Sequence, residues 1–521
     1  MQGVTPATLK AWLRDGRELA ILDAREEGEF GLRHLFWAVP CPLSRAELRA
    51  PLLLPRRGVR VVCVDADGGG LARRLGAVLA SIGCEDLHLL EGGTDGWAAA
   101  GHEVFSGVNV PSKAFGEWVE HHYGTPSVSA EELQAMRDGG EPLLVVDSRP
   151  FAEFTRMSIP GGINVPGGEL AYRVPDMVPD RATTVVVNCA GRTRSILGAE
   201  SLRRAGLPNR VVALRNGTMG WELAGLTCAS GEVARHGAGT PASAAESLAR
   251  ARDFAEAQGV RAIGLDALTA LRADASRTTY LLDVRDPEEY AAGHLPGAVS
   301  APGGQLVQAT DGWVAVRGAR VVLVDDTGVR ARMTAGWLRQ LGGWEVFVLD
   351  GAAAAFTATA APDVTSSEAE EVTPADLAAM QGARVVDLAR SIAFREGHIP
   401  GALWGIRTRL DALAPRLAGA VRVVVAAPEP ALARLAVPEL RGLTPAPVSV
   451  LRGGTAAWAA AGLPMEASRH DPPDEACLDW YLRPYDRNAG QEEAMRAYLS
   501  WEVELVHAVE RDGDAPFGRW P

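Results

Sequence analysis

Four times along the chain a short apolar run ends in an acidic residue: Ile21-Leu22-Asp23, Val145-Val146-Asp147, Leu281-Leu282-Asp283 and Val385-Val386-Asp387. A second apolar run follows each of them, at residues 59–64, 183–187, 321–324 and 421–425. Mixed polar and apolar segments of helical length lie between. Short β-branched runs without alternation predict parallel strands buried on both faces. Strands alternating with helices predict layered α/β architecture. The expected fold class is therefore α/β, with four tandem units, each a small, mostly parallel sheet carrying helices on both faces.

Two further markers recur in register with the strands, which makes the repeat the first thing to establish. One is a turn: His34-Leu35-Phe36-Trp37-Ala38, Ser158-Ile159-Pro160-Gly161-Gly162, His294-Leu295-Pro296-Gly297-Ala298 and His398-Ile399-Pro400-Gly401-Ala402. Pro fixes φ and Gly permits positive φ, so Pro-Gly marks a tight reversal. The other closes each unit: Gly92-Gly93-Thr94 to Trp97, Asn216-Gly217-Thr218 to Trp221, Asp350-Gly351 to Phe356, and Gly453-Gly454-Thr455 to Trp458. The aromatic one turn into a helix reads as a core anchor. The histidines read as turn-stabilising groups.

The markers divide the 521 residues into units at 1–106, 126–230, 258–358 and 372–468, followed by a helical C-terminal tail at 469–521. A usual domain size of roughly 100 to 150 residues predicts the same number of units. Residues 106–126, 231–257 and 358–371 read as linkers, with helical composition over 242–257. In the tail, 491–509 reads as an amphipathic helix with Met495, Tyr498, Leu499 and Val503 on one side. It is expected to pack on a domain or a second subunit rather than to take part in chemistry.

Composition removes several function classes. A net charge of -13 argues against a general nucleic-acid binder. No 18-residue apolar stretch is present to span a membrane, and the start of the chain lacks the pattern of a secretion signal. Six cysteines show no metal-ligand or disulfide spacing, so no metal and no cofactor is expected, and the expected location is the cytoplasm. Only Lys10 and Lys113 accompany 50 arginines, which with heavy Ala, Gly and Pro usage suggests a GC-rich bacterial coding bias.

One segment carries chemistry. Cys189-Ala190-Gly191-Arg192-Thr193-Arg194-Ser195 follows the run Val185-Val186-Val187 and precedes a helix-like stretch. A loop leaving a strand and entering a helix can curl its N–H groups inward around an anion, and the helix N-terminus adds positive potential. Cys189 is the candidate nucleophile, expected to have a lowered pKa because thiolate is the reactive form. Ala190, Gly191, Arg192, Thr193, Arg194 and Ser195 are the candidate substrate-binding residues. Ser195 is expected to cap the helix while donating toward the sulfur. Asp147 and Arg149 are expected to form an ion pair or hydrogen-bond network beneath the loop, with a substrate role for Arg149 as the alternative.

The strand-Asp-x-Arg opening, the His-Ile/Leu-Pro-Gly-Ala turn, the Cys189-to-Ser195 loop and the Gly-Gly-Thr-x-x-Trp ending together resemble the rhodanese (sulfurtransferase) family over about residues 5–466. The second unit is the most similar. The resemblance implies four tandem rhodanese-like domains and a persulfide formed on Cys189 alone. The partners it implies are a small sulfur donor and a thiol acceptor. Thiosulfate-using members resemble Cys-Arg-Lys-Gly-Val-Thr in this loop and mercaptopyruvate-using members Cys-Gly-Ser/Thr-Gly-Val-Thr, and the present loop departs from both. Thiosulfate is the leading donor, with a small persulfide such as glutathione persulfide behind it.

In the other units Asp65, Asp325 and Ala427 take the place of the cysteine, so those units are expected to be structural, regulatory or partner-binding. An acid there is expected to disfavour anion binding. Two alternatives stand beside the sulfurtransferase. One is a non-catalytic scaffold that binds a protein partner or dimerises through the degenerate units or the tail. The other is a cysteine-dependent phosphatase or arsenate reductase, whose loop is one residue longer.

Overall fold

The computed structural model describes residues 1–359 and 369–518. Among the described residues there are four sheets, and each arranges its five parallel strands in one order. In the second sheet that order is Ser127–Val128, Val211–Leu214, Thr184–Asn188, Leu143–Asp147 and Ile163–Asn164. The apolar runs form the inner strands. Arg60–Val64 and Thr184–Asn188 are buried along their whole length, as runs covered by helices on both faces must be.

The first sheet gains a sixth strand from far along the chain. Val316–Arg317, from the third unit, pairs antiparallel with Ala20 and Leu19. Units 1 and 3, the helix Val110–Tyr123 and the end of the tail share one continuous apolar core. Unit 4 keeps its own cores and meets unit 1 through ion pairs, Arg407 with Glu47, Arg409 with Glu29 and Arg45 with Glu429. Partly exposed pairs of this kind each contribute little.

The segments read as linkers are more ordered than that reading implies. Residues 110–123 form a 14-residue helix, most of it buried, lying between the tail helix and the helix Thr193–Arg204. Gly116 allows the close approach, because a Cβ there would stand 2.7 Å from Thr193 Cγ2. The helical expectation at 242–257 corresponds to the helix Pro241–Ala257. Residues 360–368, inside the third expected linker, lie outside the described residues.

The tail helix runs Gln491–Asp512 and buries Met495, Leu499, Glu502, Leu505 and Val509. Val503, placed on the packed side by the sequence reading, is 39% exposed. At 100° per residue the buried stripe is centred on Glu502, and Val503 falls beyond its edge. The turn histidines stack on an aromatic ring one turn earlier: His34 on Phe30, His294 on Tyr290 and His398 on Phe394, with centroids 4.0, 3.8 and 3.8 Å apart.

Candidate active site around Cys189

The strand Thr184–Asn188 delivers Cys189 to the carboxyl end of its sheet, where open α/β sheets place their ligands. The closing marker of the unit buttresses the loop from behind. Thr218 N–H donates to the Cys189 carbonyl at 2.9 Å and Met219 N–H to that of Ala190 at 3.1 Å. Gly217 has φ of 54°, and a Cβ on it would lie 2.2 Å from the Cys189 carbonyl oxygen. Gly93 and Gly454 meet the equivalent loops in the same way. The recurring glycine therefore serves the loop as well as the turn.

Asp147 and Arg149 lie beneath this assembly. Two guanidinium bonds of 2.8 and 2.7 Å join them, and Asn188 Nδ2 donates to Asp147 Oδ2 at 2.7 Å. Neither residue lines the cavity in front of the cysteine. Asp23–Arg25 and Asp283–Arg285 repeat the pair. In unit 4, where Ala389 replaces the arginine, Asp387 accepts from Ala389 N–H and Thr455 Oγ1 instead. The geometry is that of a scaffold brace, and the substrate role for Arg149 has no support in it.

Cys189 is only 2% exposed. Its thiol donates to Ser195 Oγ, 3.5 Å away, while Ser195 Oγ donates to the Arg192 carbonyl at 2.8 Å. This reverses the donation expected from Ser195, whose proton is held by the carbonyl. Arg192, not Ser195, occupies the N-cap position. The expected lowering of the thiol pKa is also corrected. Burial pushes the Cys189 thiol up, against the opposing effects of the Arg194 charge and the Ser195 hydrogen bonds.

Both loop arginines are spoken for. Arg192 is held by Glu117, at 2.7 and 2.8 Å, and by Glu120. Arg194 pairs with Glu153 at 2.9 and 2.8 Å and reaches Gln305 of unit 3. The positive charge left without a carboxylate partner comes from outside unit 2. Lys113 is buried with its ammonium over the rings of Tyr498 and Trp501, 5.0 and 4.9 Å from their centroids. Burial pulls that ammonium down to about 8. Arg483 lies over Trp480 and makes no ion pair among the described residues. Both line a cavity of about 140 Å³ in front of Cys189, together with Tyr485, Tyr498 and Glu502. Glu502 Oε1 accepts from Thr193 Oγ1 at 2.6 Å, and its buried Oε2 has no partner among the described residues.

Sequence reasoning missed every one of these tail and linker residues. Only two signals pointed to them, the aromatic density of the tail and the placement of one of two lysines in a supposed linker. The tail does pack on the body of its own chain, but it also walls the candidate active site, which corrects the expectation that it stays clear of the chemistry.

The degenerate loops show what the fold does at this position. In unit 1 the Asp65 carboxylate accepts from the N–H groups of Gly68, Gly69 and Ala72 at 2.7, 3.1 and 2.9 Å. In unit 3 Asp325 accepts from those of Gly328 and Arg330 at 2.9 and 3.1 Å. The acid is itself the anion in the nest. Counted from Cys189, the corresponding N–H groups belong to Arg192, Thr193, Arg194 and Ile196; the first three have no acceptor among the described residues, and that of Ile196 donates to the Arg192 carbonyl at 3.1 Å. One cluster could offer ligand atoms to a cation, Glu169, His236 and Asp286, but Arg330 and Arg173 already hold Glu169, and the cluster bridges units 2 and 3.

The Rhodanese-like domain model matches residues 5–100, 129–224 and 265–359, more than half of the chain. This chain belongs to the rhodanese-like family. The fourth sheet lies outside the matched segments but has the strand order of the other three. Among solved structures, a thiosulfate sulfurtransferase from Pseudomonas aeruginosa is 47% identical, with a TM-score of 0.90 over 99% of both chains. An HTH-type transcriptional regulator of Mycobacterium tuberculosis is 36% identical over 117 residues, which are 22% of this rhodanese-like chain and 50% of that protein. The chain thus spans about half the length of that curated relative. No helix among the described residues is long and apolar enough to cross a membrane.

Proposed function

We propose that the chain is a sulfurtransferase in which Cys189 takes sulfane sulfur from thiosulfate and passes it to a thiol. The observation that carries this reading is the nest. Where units 1 and 3 fill it with a carboxylate, unit 2 leaves N–H groups open around a cysteine. The 47% identity to a thiosulfate sulfurtransferase supports thiosulfate as the donor.

Thiosulfate enters as a dianion, and Lys113 and Arg483 are the cations free to receive it. The Cys189 thiolate attacks the outer sulfur, a new S–S bond forms at Sγ, and the old S–S bond breaks with its electron pair leaving on sulfite. The persulfide then sits among the loop N–H groups, which stabilise the anion and the charge that develops at each transfer. Because burial keeps the resting sulfur protonated, its proton must leave before attack. The orphaned Oε2 of Glu502 is the acceptor that the cavity offers.

Units 1, 3 and 4 contribute structure, with unit 3 also supplying Gln305 to the site. Six cysteines free of disulfides suit a reducing bacterial cytoplasm. Intact-protein mass spectrometry after thiosulfate treatment tests the reading. One added sulfur, lost on adding a thiol and absent from Cys189→Ser, is expected. No adduct on the wild-type chain would overturn it in favour of a scaffold.

A further inference from the structure

A second and larger cavity, about 540 Å³, opens between unit 1, unit 3 and the tail. Val108, Asn109, Ala309 and Arg483 line both it and the cavity in front of Cys189, so the two are neighbours across a shared wall. The catalytic cavity has room for a molecule of thiosulfate size. The second falls within the range of roughly 300–1,000 Å³ usual for sites that hold an organic ligand.

Its polar groups are unevenly matched. Arg45 and Arg390 are already held by Glu429 and Glu27. Arg49 donates to the Gly312 carbonyl, at 3.2 Å, and Arg49, Arg272 and Arg483 make no ion pair among the described residues. Against these three cations stands one carboxylate with an open acceptor, Asp311, whose Oδ1 is buried and unpartnered. The rings of Trp313 and Trp480 supply apolar wall.

We propose that this cavity binds the sulfur acceptor, a peptide-like thiol that carries more carboxylates than ammonium groups. The inference rests on the sulfurtransferase reading and adds to it the chemistry of the acceptor. Carboxylates of the ligand meet Arg49 and Arg272, an N–H or ammonium meets Asp311 Oδ1, and the thiol passes Arg483 toward Cys189. The acceptor thiolate attacks the outer sulfur of the Cys189 persulfide. An S–S bond forms to the acceptor, the S–S bond to Sγ breaks, and its electron pair remains on the Cys189 thiolate. The transferred sulfur keeps the negative charge it carried in the Cys189 persulfide, and no oxidant or reductant is consumed.

Reduced glutathione, with two carboxylates and one ammonium, is the probe, and 2-mercaptoethanol is the uncharged control. Calorimetry on full-length Cys189→Ser separates binding from turnover. Saturable glutathione binding is expected, at least tenfold weaker in Cys189→Ser carrying Arg49→Gln and Arg272→Gln. Arg272→Gln alone, at an exposed position, guards against misfolding and should show part of the same loss. In the active chain the same substitutions should raise the glutathione KM at least tenfold. The 2-mercaptoethanol KM and the rate of persulfide formation from thiosulfate should not change. Absent glutathione binding, equal losses with both thiols, or an effect on the thiosulfate step instead would each overturn the inference. If glutathione binds but thiosulfate leaves no sulfur on wild-type Cys189, the sulfurtransferase reading falls and the acceptor role with it, while the binding site stands.

Discussion

Replacing Asp65 with Ala tests the nest directly, in a unit whose loop carries no cysteine. The carboxylate accepts three backbone hydrogen bonds of 2.7, 3.1 and 2.9 Å and is 2% exposed. Hydrogen bonds to a charged group contribute about 1.5–3 kcal/mol each. Gly68 and Gly69 are half-buried, so water replaces part of what is lost. The expected local cost is about 2–4 kcal/mol, which at 1.4 kcal/mol per factor of ten is roughly a 30- to 1,000-fold loss of protection. Native-state hydrogen exchange at Gly68, Gly69 and Ala72 reads this without assuming that a chain of several units unfolds in one step. The emptied nest should also take an anion. Sulfate at about 100 times its Kd would return about 2.7 kcal/mol. Exchange within twofold of wild type, or a recovery that chloride matches at equal ionic strength, would refute the argument that these N–H groups are poised for an anion, and with it the account of the Cys189 loop.

Lys113→Met removes a buried ammonium that has no carboxylate partner among the described residues, so the thiosulfate KM should rise about tenfold while thermal stability holds or improves. A fall in stability with KM unchanged would make Lys113 a structural residue. Burial raises the Cys189 thiol pKa, so its alkylation by iodoacetamide should quicken as pH rises above neutrality, and a plateau already reached below pH 7 would contradict that direction. Burial lowers the His34 imidazole to about 4, from an ordinary 6.5. The folded state thus stays neutral where the unfolded chain takes up a proton, and the associated stability is present above pH 6.5 and lost as pH falls toward 4. At 1.36 kcal/mol per unit the limit is about 3 kcal/mol. Urea unfolding of His34→Asn should show a shallower acid slope than wild type across that window.

The architecture was legible because its signal is local. Each apolar run ending in Asp23, Asp147, Asp283 or Asp387 announces a strand, and the nucleophile sits directly behind one of them. The brace of Asp147 and Arg149 was legible for the same reason, being two residues apart. The cavity was not. Lys113 lies 76 positions before Cys189 and Glu502 lies 313 after it, and hydrophobic periodicity does not say which distant segment covers which loop. The direction of the thiol pKa failed on the same ground. The loop alone favours thiolate, but in the folded chain the sulfur is buried, and desolvation outweighs the local charge. The acids at 65 and 325 were read as obstacles to an anion because the sequence shows their charge but not the N–H groups that bind it.

The distance between Cys189 and the tail has a consequence for the timing of synthesis. At roughly 5–20 residues per second, the helix Gln491–Asp512 follows Cys189 out of the ribosome by about 15–60 seconds. Through that interval the cavity in front of the sulfur lacks the wall that Tyr498 and Glu502 supply, and its loop is open to any oxidant or electrophile. The nascent chain is therefore most vulnerable at its nucleophile just before it becomes competent, and peroxide present during translation should damage Cys189 far more than the same dose given to the finished protein.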